Sequence, residues 1–395
     1  MKILFGADMS FNYITEYPGD AYVKNAVAEC VDKFKEADFS ILNLENVLGN
    51  RDDYVPIPKD GPNLISTENF VNYIKELNPT VVGIANNHTG DFGAEAIFNT
   101  FDILDKNGYP YIGAGKNIDE AYKPFIMEKD GIKVGIIAVC ENEFGGAKKN
   151  KAGSAVYNLT RVQRGIEALN EQGAKCVLYF HGGNERNPFP SPGKKELYRH
   201  FIDMGASAVV AMHTHCPQGY ETYKGAPIIY SMGNFYFPRP TEMKAFYSPT
   251  AYCQTWNYGY LTELDFKDNQ TTIKTMPYYF DRDRIKILDG DELKEFNKYF
   301  DYITSVIQDD EKLQQYFDAW SVKFGRTEAV NVYFDETLVP IDHPHVSTRL
   351  NDFSCEAHNE VWTNYFNVCY EKRIEEAAKL IEEIEMLQKL KLKEQ

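Results

Sequence analysis

Positive charge is in short supply in this chain: 42 lysines and arginines stand against 58 aspartates and glutamates, for a formal net charge of −16. Nucleic acids and anionic membranes are bound by basic surfaces that displace counterions, so the composition argues against both as partners. Long apolar runs are also missing. No stretch approaches the roughly 20 residues of a transmembrane helix, and the opening MKILFGADMS is too short for a signal sequence and lacks a small-residue cleavage site. Cysteine is sparse and unpatterned, with seven residues at scattered positions. An odd number with no framework spacing reads as reduced thiols, and the expectation is a cytoplasmic protein without a transmembrane segment. Internal repeats and low-complexity segments are absent as well.

What is present is enough to build a large core: 395 residues, 43% hydrophobic and 14% aromatic. The first 240 or so residues alternate strand-like and helix-like segments, as an α/β fold requires. Helices are expected over Asp20–Lys35, Thr67–Leu77, Ala94–Lys106 and Thr160–Glu171, with another from Pro192 to Met204. Asp130-Gly131 marks a hairpin, and a second antiparallel pair, Leu261–Phe266 with Thr272–Pro277, makes the sheets mixed. Helix formers dominate beyond Asp291. The expected organisation is a main domain over residues 1–285 and a mostly helical extension over 286–395 that packs on it. A final helix over Glu356–Lys391 places Ala377, Leu380, Ile381, Ile384, Leu387 and Leu390 on one stripe. Fewer than three clean heptads are present, so packing against the main domain is expected rather than a coiled coil. The oligomeric state is left open.

The functional signal is a recurrence. Apolar runs end on residues that hold metals: Lys2–Ala7 on Asp8, Phe39–Leu44 on Glu45, Thr80–Ala85 on Asn86-Asn87-His88, Lys175–Phe180 on His181, and Ala206–Met212 on His213-Thr214-His215. Ligand sites of open α/β sheets form beyond the carboxyl ends of strands, so such residues can converge from distant positions. If His213 and His215 extend their strand, both imidazoles share a face. Each residue alone has an ordinary reading, such as a core histidine, a cap or a solvated loop carboxylate; five strand ends at once do not. Asp8 and Glu45 could also serve as the paired carboxylates of a metal-free glycosidase, but that leaves the histidines unexplained. The aromatics Phe235, Tyr236, Phe237, Phe246, Tyr247, Tyr252 and Trp256 are expected to cover core edges rather than line a site.

Taken in order, Gly6-Ala7-Asp8, Asn43-Leu44-Glu45, Asn86-Asn87-His88 with Asp91 and Gly93, His181-Gly182-Gly183-Asn184-Glu185, His213-Thr214-His215 and Gly233-Asn234-Phe235 resemble the CapA family of capsule and poly-γ-glutamate synthesis, which is similar to the calcineurin-like metallophosphatases. The resemblance covers roughly residues 1–280. It implies a four-layer αββα sandwich, two mixed sheets flanked by helices, with a two-metal site at one edge. By that likeness Glu45 bridges two divalent ions, Asp8 and His215 complete one shell, and Asn87, His181 and His213 complete the other. His88 is then the general acid, oriented by Asp91. Ligands without thiolate suit Mn, Fe or Zn. Two such ions, less two carboxylate charges, leave about +2 at the site, which suits an anionic small-molecule or polymer substrate. The implied activity is hydrolysis of a phosphoester or γ-linked amide; the alternative is a non-catalytic polymer-assembly or carboxylate-binding protein on the same fold. Ser10 departs from the metallophosphatase pattern, where histidine commonly follows the first aspartate by two positions.

Overall fold

The computed structural model describes residues 1–11, 16–59, 61–238, 254–267, 270–281, 283–332 and 344–390. Two mixed β-sheets lie face to face. In the larger, the central strand Lys2–Met9 runs parallel to Phe39–Leu44 and antiparallel to Tyr258–Phe266, and its end also pairs with Asn234–Tyr236. In the second, Lys175–His181 lies between Ile132–Cys140 and Ala206–Met212, parallel to both.

Alternation along the strands of the second sheet divides the packing, because successive side chains point to opposite faces. Val134, Ile136, Ala138, Val177, Tyr179, Ala208 and Val210 join the core shared with the first sheet. Their neighbours Ile137, Val139, Leu178, Phe180, Val209 and Ala211 pack against the helices Leu159–Glu171 and Pro192–Asp203. The sheets approach closely at one point: Tyr179 Oη donates to the Gly6 carbonyl at 2.7 Å, and a Cβ on Gly83 would stand 2.7 Å from the Tyr179 ring. The helices Asp20–Glu36, Val71–Leu77 and Gly93–Lys106 bury their apolar stripes in the same large core. The result is two mixed sheets flanked by helices.

The helices Gly290–Gln308 and Asp310–Val332 add Phe296, Phe300, Ile303, Leu313, Tyr316 and Trp320 to that core. The single long helix expected over Glu356–Lys391 is instead broken. Glu356–Tyr370 ends at Lys372, whose φ of 58° lies in the left-handed region, and the Arg373 amide bonds back to the Val368 carbonyl at 3.0 Å. That closure satisfies the last carbonyls of a helix and reverses its direction. Arg373 then pairs with Asp318, and short segments Ile374–Ala377, Ala378–Leu380 and Ile381–Leu387 follow; position 391 lies outside the described residues. Ala377 and Ile384 of the expected stripe are buried, and Leu380, Ile381, Leu387 and Leu390 pack against the core. No helix among the described residues is long and apolar enough to cross a membrane.

Candidate metal centre

The register of the central strands brings the strand ends together. Asp8 pairs with Asn43 on one side and with Asn234 on the other. His181 lies in register with Met212, the residue before His213. Asp8 is fully buried; Oδ1 accepts from Asn43 Nδ2 at 2.7 Å and Oδ2 from the His213 amide at 2.8 Å. Glu45 is also fully buried, and among the described residues neither carboxylate oxygen has a hydrogen-bond donor. Around its Oε1 stand His181 Nε2 and His215 Nε2, each at 3.7 Å, and His88 Nε2 at 4.0 Å.

Two groups of potential ligand atoms meet at Glu45. In each, the atoms lie within 4.8 Å of one another: Glu45, His181 and His213 in the first, and Asp8, Glu45 and His215 in the second. Asn87 Oδ1, 3.1 Å from His181 Nε2, adjoins the first. His213 Nδ1 is 2.9 Å from the same His181 nitrogen. His181 Nδ1 lies 3.3 Å from both Asp8 Oδ1 and Asn43 Nδ2. Asn234 Oδ1, an acceptor 2.8 Å from His215 Nδ1, assigns the His215 proton to that nitrogen and leaves the Nε2 lone pair facing inward. Fixing the far nitrogen of an imidazole in this way is how ligand histidines are held.

Electrostatics agree with the geometry. Burial, and the mutual repulsion of neighbouring imidazoles, hold His181 down to about 3 and His213 to about 4; burial above all holds His215 to about 4. All three are neutral at pH 7, the form that donates a lone pair. Burial pushes Glu45 well above the ordinary carboxylate range, and the charges of Asp8 and Glu185 push it further. A buried carboxylate without donors, ringed by imidazole lone pairs, is costly as it stands. A cation between these groups satisfies all of them, so the residues present fit a metal.

His88 stands beside this volume. Its Nδ1 is 2.7 Å from Asp91 Oδ2, which also accepts from the Leu64 amide at 2.7 Å. Burial would raise Asp91, but His88 and Lys59 outweigh it and keep the carboxylate ionised. Asn86, by contrast, shapes the turn: its Nδ2 donates to the Leu44 carbonyl at 2.9 Å and its Oδ1 accepts from the His88 amide at 3.1 Å.

His213 and His215 reach the site by a different route from that expected. The strand ends at Met212, and the two histidines have φ values of 98° and 54°. Non-glycine residues rarely adopt these conformations; here the backbone is held by the His213 amide on Asp8, and Thr214 Oγ1 donates to the Cys216 carbonyl at 2.9 Å. Two of the aromatics expected to cover core edges, Trp256 and Phe237, form a small buried cluster with Leu64 and also border the site: their ring centroids lie 4.4 and 5.2 Å from that of His215. Phe235 and Tyr236 are core residues, and Phe246, Tyr247 and Tyr252 lie outside the described residues.

Several neighbours were not singled out by sequence reasoning. Asn43 and Asn234 sit within quoted motifs. Glu141 and Glu143 follow the strand Ile132–Cys140, so the strand-end rule applied there would have found them. Glu143 Oε2 accepts from Asn87 Nδ2 at 3.4 Å, and burial pushes this carboxyl up to about 7. Glu185, drawn down to about 2 by His215 and Arg186 against the effect of burial, faces the same histidines. Lys59, paired with Asp91, comes from a loop with no signal of its own. Ser10 is buried, and its hydroxyl has no hydrogen-bond partner.

Fold and site together define a class: an α/β sandwich with a buried carboxylate, amide and imidazole cluster that could hold metal at its strand ends. The chain belongs to the family described as bacterial capsule synthesis protein PGA_cap, whose model matches residues 5–239, more than half of its length. It is 27% identical over 241 residues to the capsule biosynthesis protein CapA of Bacillus anthracis, a match covering 59% of this chain and 54% of that protein. It is 28% identical over 207 residues to the PGA biosynthesis protein CapA of Bacillus subtilis, covering 52% and 54%. A probable polyglutamine synthesis accessory protein of Mycobacterium tuberculosis is 25% identical over 171 residues, covering 40% of this chain and 45% of that protein. The chain thus spans about half the length of the curated relatives it matches. Among solved structures, TT1561 of Thermus thermophilus aligns over 69% of this chain and 97% of its own at 12% identity, with a TM-score of 0.35, too low to bear on function.

Proposed function

We propose that the chain is a metal-dependent hydrolase that uses two divalent ions, Mn, Fe or Zn, to cleave a phosphoester or a γ-linked amide in an anionic substrate of capsule or poly-γ-glutamate synthesis. The observation that carries this reading is Glu45, a buried carboxylate with no hydrogen-bond donor and imidazole nitrogens on two sides. In it Glu45 would serve both ions, Asp8 and His215 would help hold one, and Asn87, His181 and His213 would help hold the other. When bound, such ions supply positive charge for a developing oxyanion and a water acidic enough to act as nucleophile near pH 7.

The chain's own residues do the rest. Asp91 fixes the His88 ring by its Nδ1, so Nε2 faces the substrate space from the side of Glu45; burial holds the His88 pKa down, and only the protonated ring has a proton at Nε2 to pass to the leaving oxygen or nitrogen. Trp256 and Phe237 screen His215 from water on its outer face. Metal analysis of protein prepared without chelator tests the centre: two ions per chain are expected, and His181→Ala or His213→Ala should remove one. Unchanged stoichiometry in both variants removes these residues from the ligand set.

A second reading has support in the names of the relatives, which speak of biosynthesis and an accessory role rather than cleavage. In it the ions hold carboxylates of a growing polymer without turnover. Mn-loaded protein should hydrolyse bis(p-nitrophenyl) phosphate or poly-γ-glutamate under the first reading; full metal occupancy with neither cleaved establishes the second.

A further inference from the structure

The family match ends at residue 239, yet the helices beyond it touch the loops that build the candidate centre. The Asn142 amide donates to Glu356 Oε2 at 3.1 Å, and its carbonyl lies 3.1 Å from Ser354 Oγ, whose one proton it shares with the Leu350 carbonyl at 2.7 Å. Asn184, in the loop after His181, donates through Nδ2 to the Ala357 carbonyl at 3.1 Å. Gln388 Nε2 donates to the Arg186 carbonyl at 2.8 Å, while its own carbonyl accepts from the Gln254 amide at 2.8 Å, two residues before Trp256. Ser347 Oγ donates to the carbonyl of Pro58, the neighbour of Lys59, at 2.6 Å. Four separate loops of the site are therefore tied to one helical segment.

The hold on Asn142 has a direct consequence for one ligand. Its neighbour Glu143 accepts from Asn87 Nδ2, so the Asn87 amide is turned with Oδ1 towards His181 Nε2. An amide presents either end with nearly the same shape, and only its partners decide which end faces the site. The backbones around these residues are in close contact, since a Cβ on Gly90 would stand 2.2 Å from the Gly145 Cα. Movement of the 141–146 loop is thus felt by the turn that carries Asn87 and His88.

We propose that the C-terminal helices from Pro344 to Leu387, with Gln388, are the positioning element of the metal centre, and that Glu356 is the positioning residue through which they orient Asn87. The role of the ions rests on the function proposed above; the mechanical link does not. Glu356→Ala removes the acceptor for the Asn142 amide, while Glu356→Gln keeps one.

The test uses the full chain. In Glu356→Ala amide exchange should accelerate about tenfold or more in residues 141–146 and rise in the 86–91 turn. The central strands should be unaffected. Affinity for Mn²⁺, measured with the metal alone by calorimetry, should weaken about tenfold or more at one site and stay unchanged at the other. Glu356→Gln should restore most of both effects. Faster exchange confined to residues 356–370 overturns the proposal, as does unchanged Mn²⁺ affinity at both sites. If the unsubstituted chain binds no Mn²⁺, the hydrolase reading fails, and exchange in the 86–91 turn alone still decides whether the helices position the site. Ser354→Ala, which leaves the Glu356 contact intact, should give a smaller change in the same two loops.

Discussion

Replacing Glu45 by Gln separates the energetics of the metal-free chain from those of the loaded one. In the metal-free protein Glu45 in its ionised form has no donor among the described residues, with His181 and His215 nitrogens 3.7 Å from its Oε1. An unsatisfied buried polar group costs roughly 1–3 kcal/mol, and the Gln amide can donate to His181 or His215, so Glu45→Gln should gain about that much. Unfolding entropy near 2 cal/mol/K per residue gives about 0.8 kcal/mol/K for a chain of this length, so the gain appears as a Tm rise of about 1–4 °C in chelator. With Mn²⁺ the order reverses. Two ions, each at about a hundred times its Kd, stabilise the unsubstituted protein by about 5 kcal/mol in total, or about 6–7 °C, and the variant forfeits most of that. Scanning calorimetry of both proteins with chelator and with Mn²⁺ provides the four Tm values. A variant less stable than the parent in chelator, or one that keeps the full metal-induced rise, refutes the assignment of Glu45 as the shared ligand.

Lys59→Met should leave metal content unchanged but lower turnover of bis(p-nitrophenyl) phosphate by about 10- to 100-fold through loss of His88 orientation; because Lys59 depresses the His88 pKa, the pH–rate limb belonging to His88 should move to higher pH, and a limb that stays put excludes the coupling. Asn234→Ala removes the partner of His215 Nδ1 and should weaken one Mn²⁺ site by about 10- to 100-fold, read by calorimetry, with the other unaltered. In chelator, acidification from pH 7 to 5 should destabilise the fold through its histidines. His181, His213 and His215 have folded pKa values of about 3, 4 and 4, below the unfolded value, so the unfolded chain binds more protons in this window and stability falls with pH. Glu45 has the opposite sign, since its folded pKa is raised and its contribution grows on acidification; Glu45→Gln should therefore lose more stability than the parent between these two pH values, as denaturant titrations will show.

Much of the site was legible because strand periodicity and topology are encoded locally. An apolar run of strand length fixes where a buried strand stops, and in a parallel arrangement the residue at that stop faces the common edge. The convergence of Asp8, Glu45 and His181 needed no more than this. His213 and His215 join them by another route: no strand carries them, and their left-handed backbone is held by the Asp8 carboxylate, a contact 205 residues away in sequence. Lys59 was invisible because its role exists only through Asp91. The break at Lys372 was missed because the helical stripe continues through it, while the tertiary pairing of Arg373 with Asp318 decides where the chain turns. Trp256 and Phe237 were assigned to core cover because aromatic content alone does not say which ring meets a histidine.

The features that weaken the metal-free chain are concentrated in one place. Glu45 is buried without a donor among the described residues, and His213 and His215 occupy conformations that cost L-residues of order 1–3 kcal/mol each. A core extending over both sheets and two helices of the C-terminal region offsets these costs. A purely structural role for the cluster would favour the opposite arrangement, since apolar residues of similar volume in place of a buried ionic group are often neutral or stabilising. The same local costs are those that a bound cation relieves, one lone pair and one carboxylate oxygen at a time. The Asn43, Asn234 and Asp91 side chains each fix a neighbour by its far atom. Glu45 is left among them without a donor among the described residues, which is why metal content, ahead of any activity assay, is the measurement on which the functional reading turns.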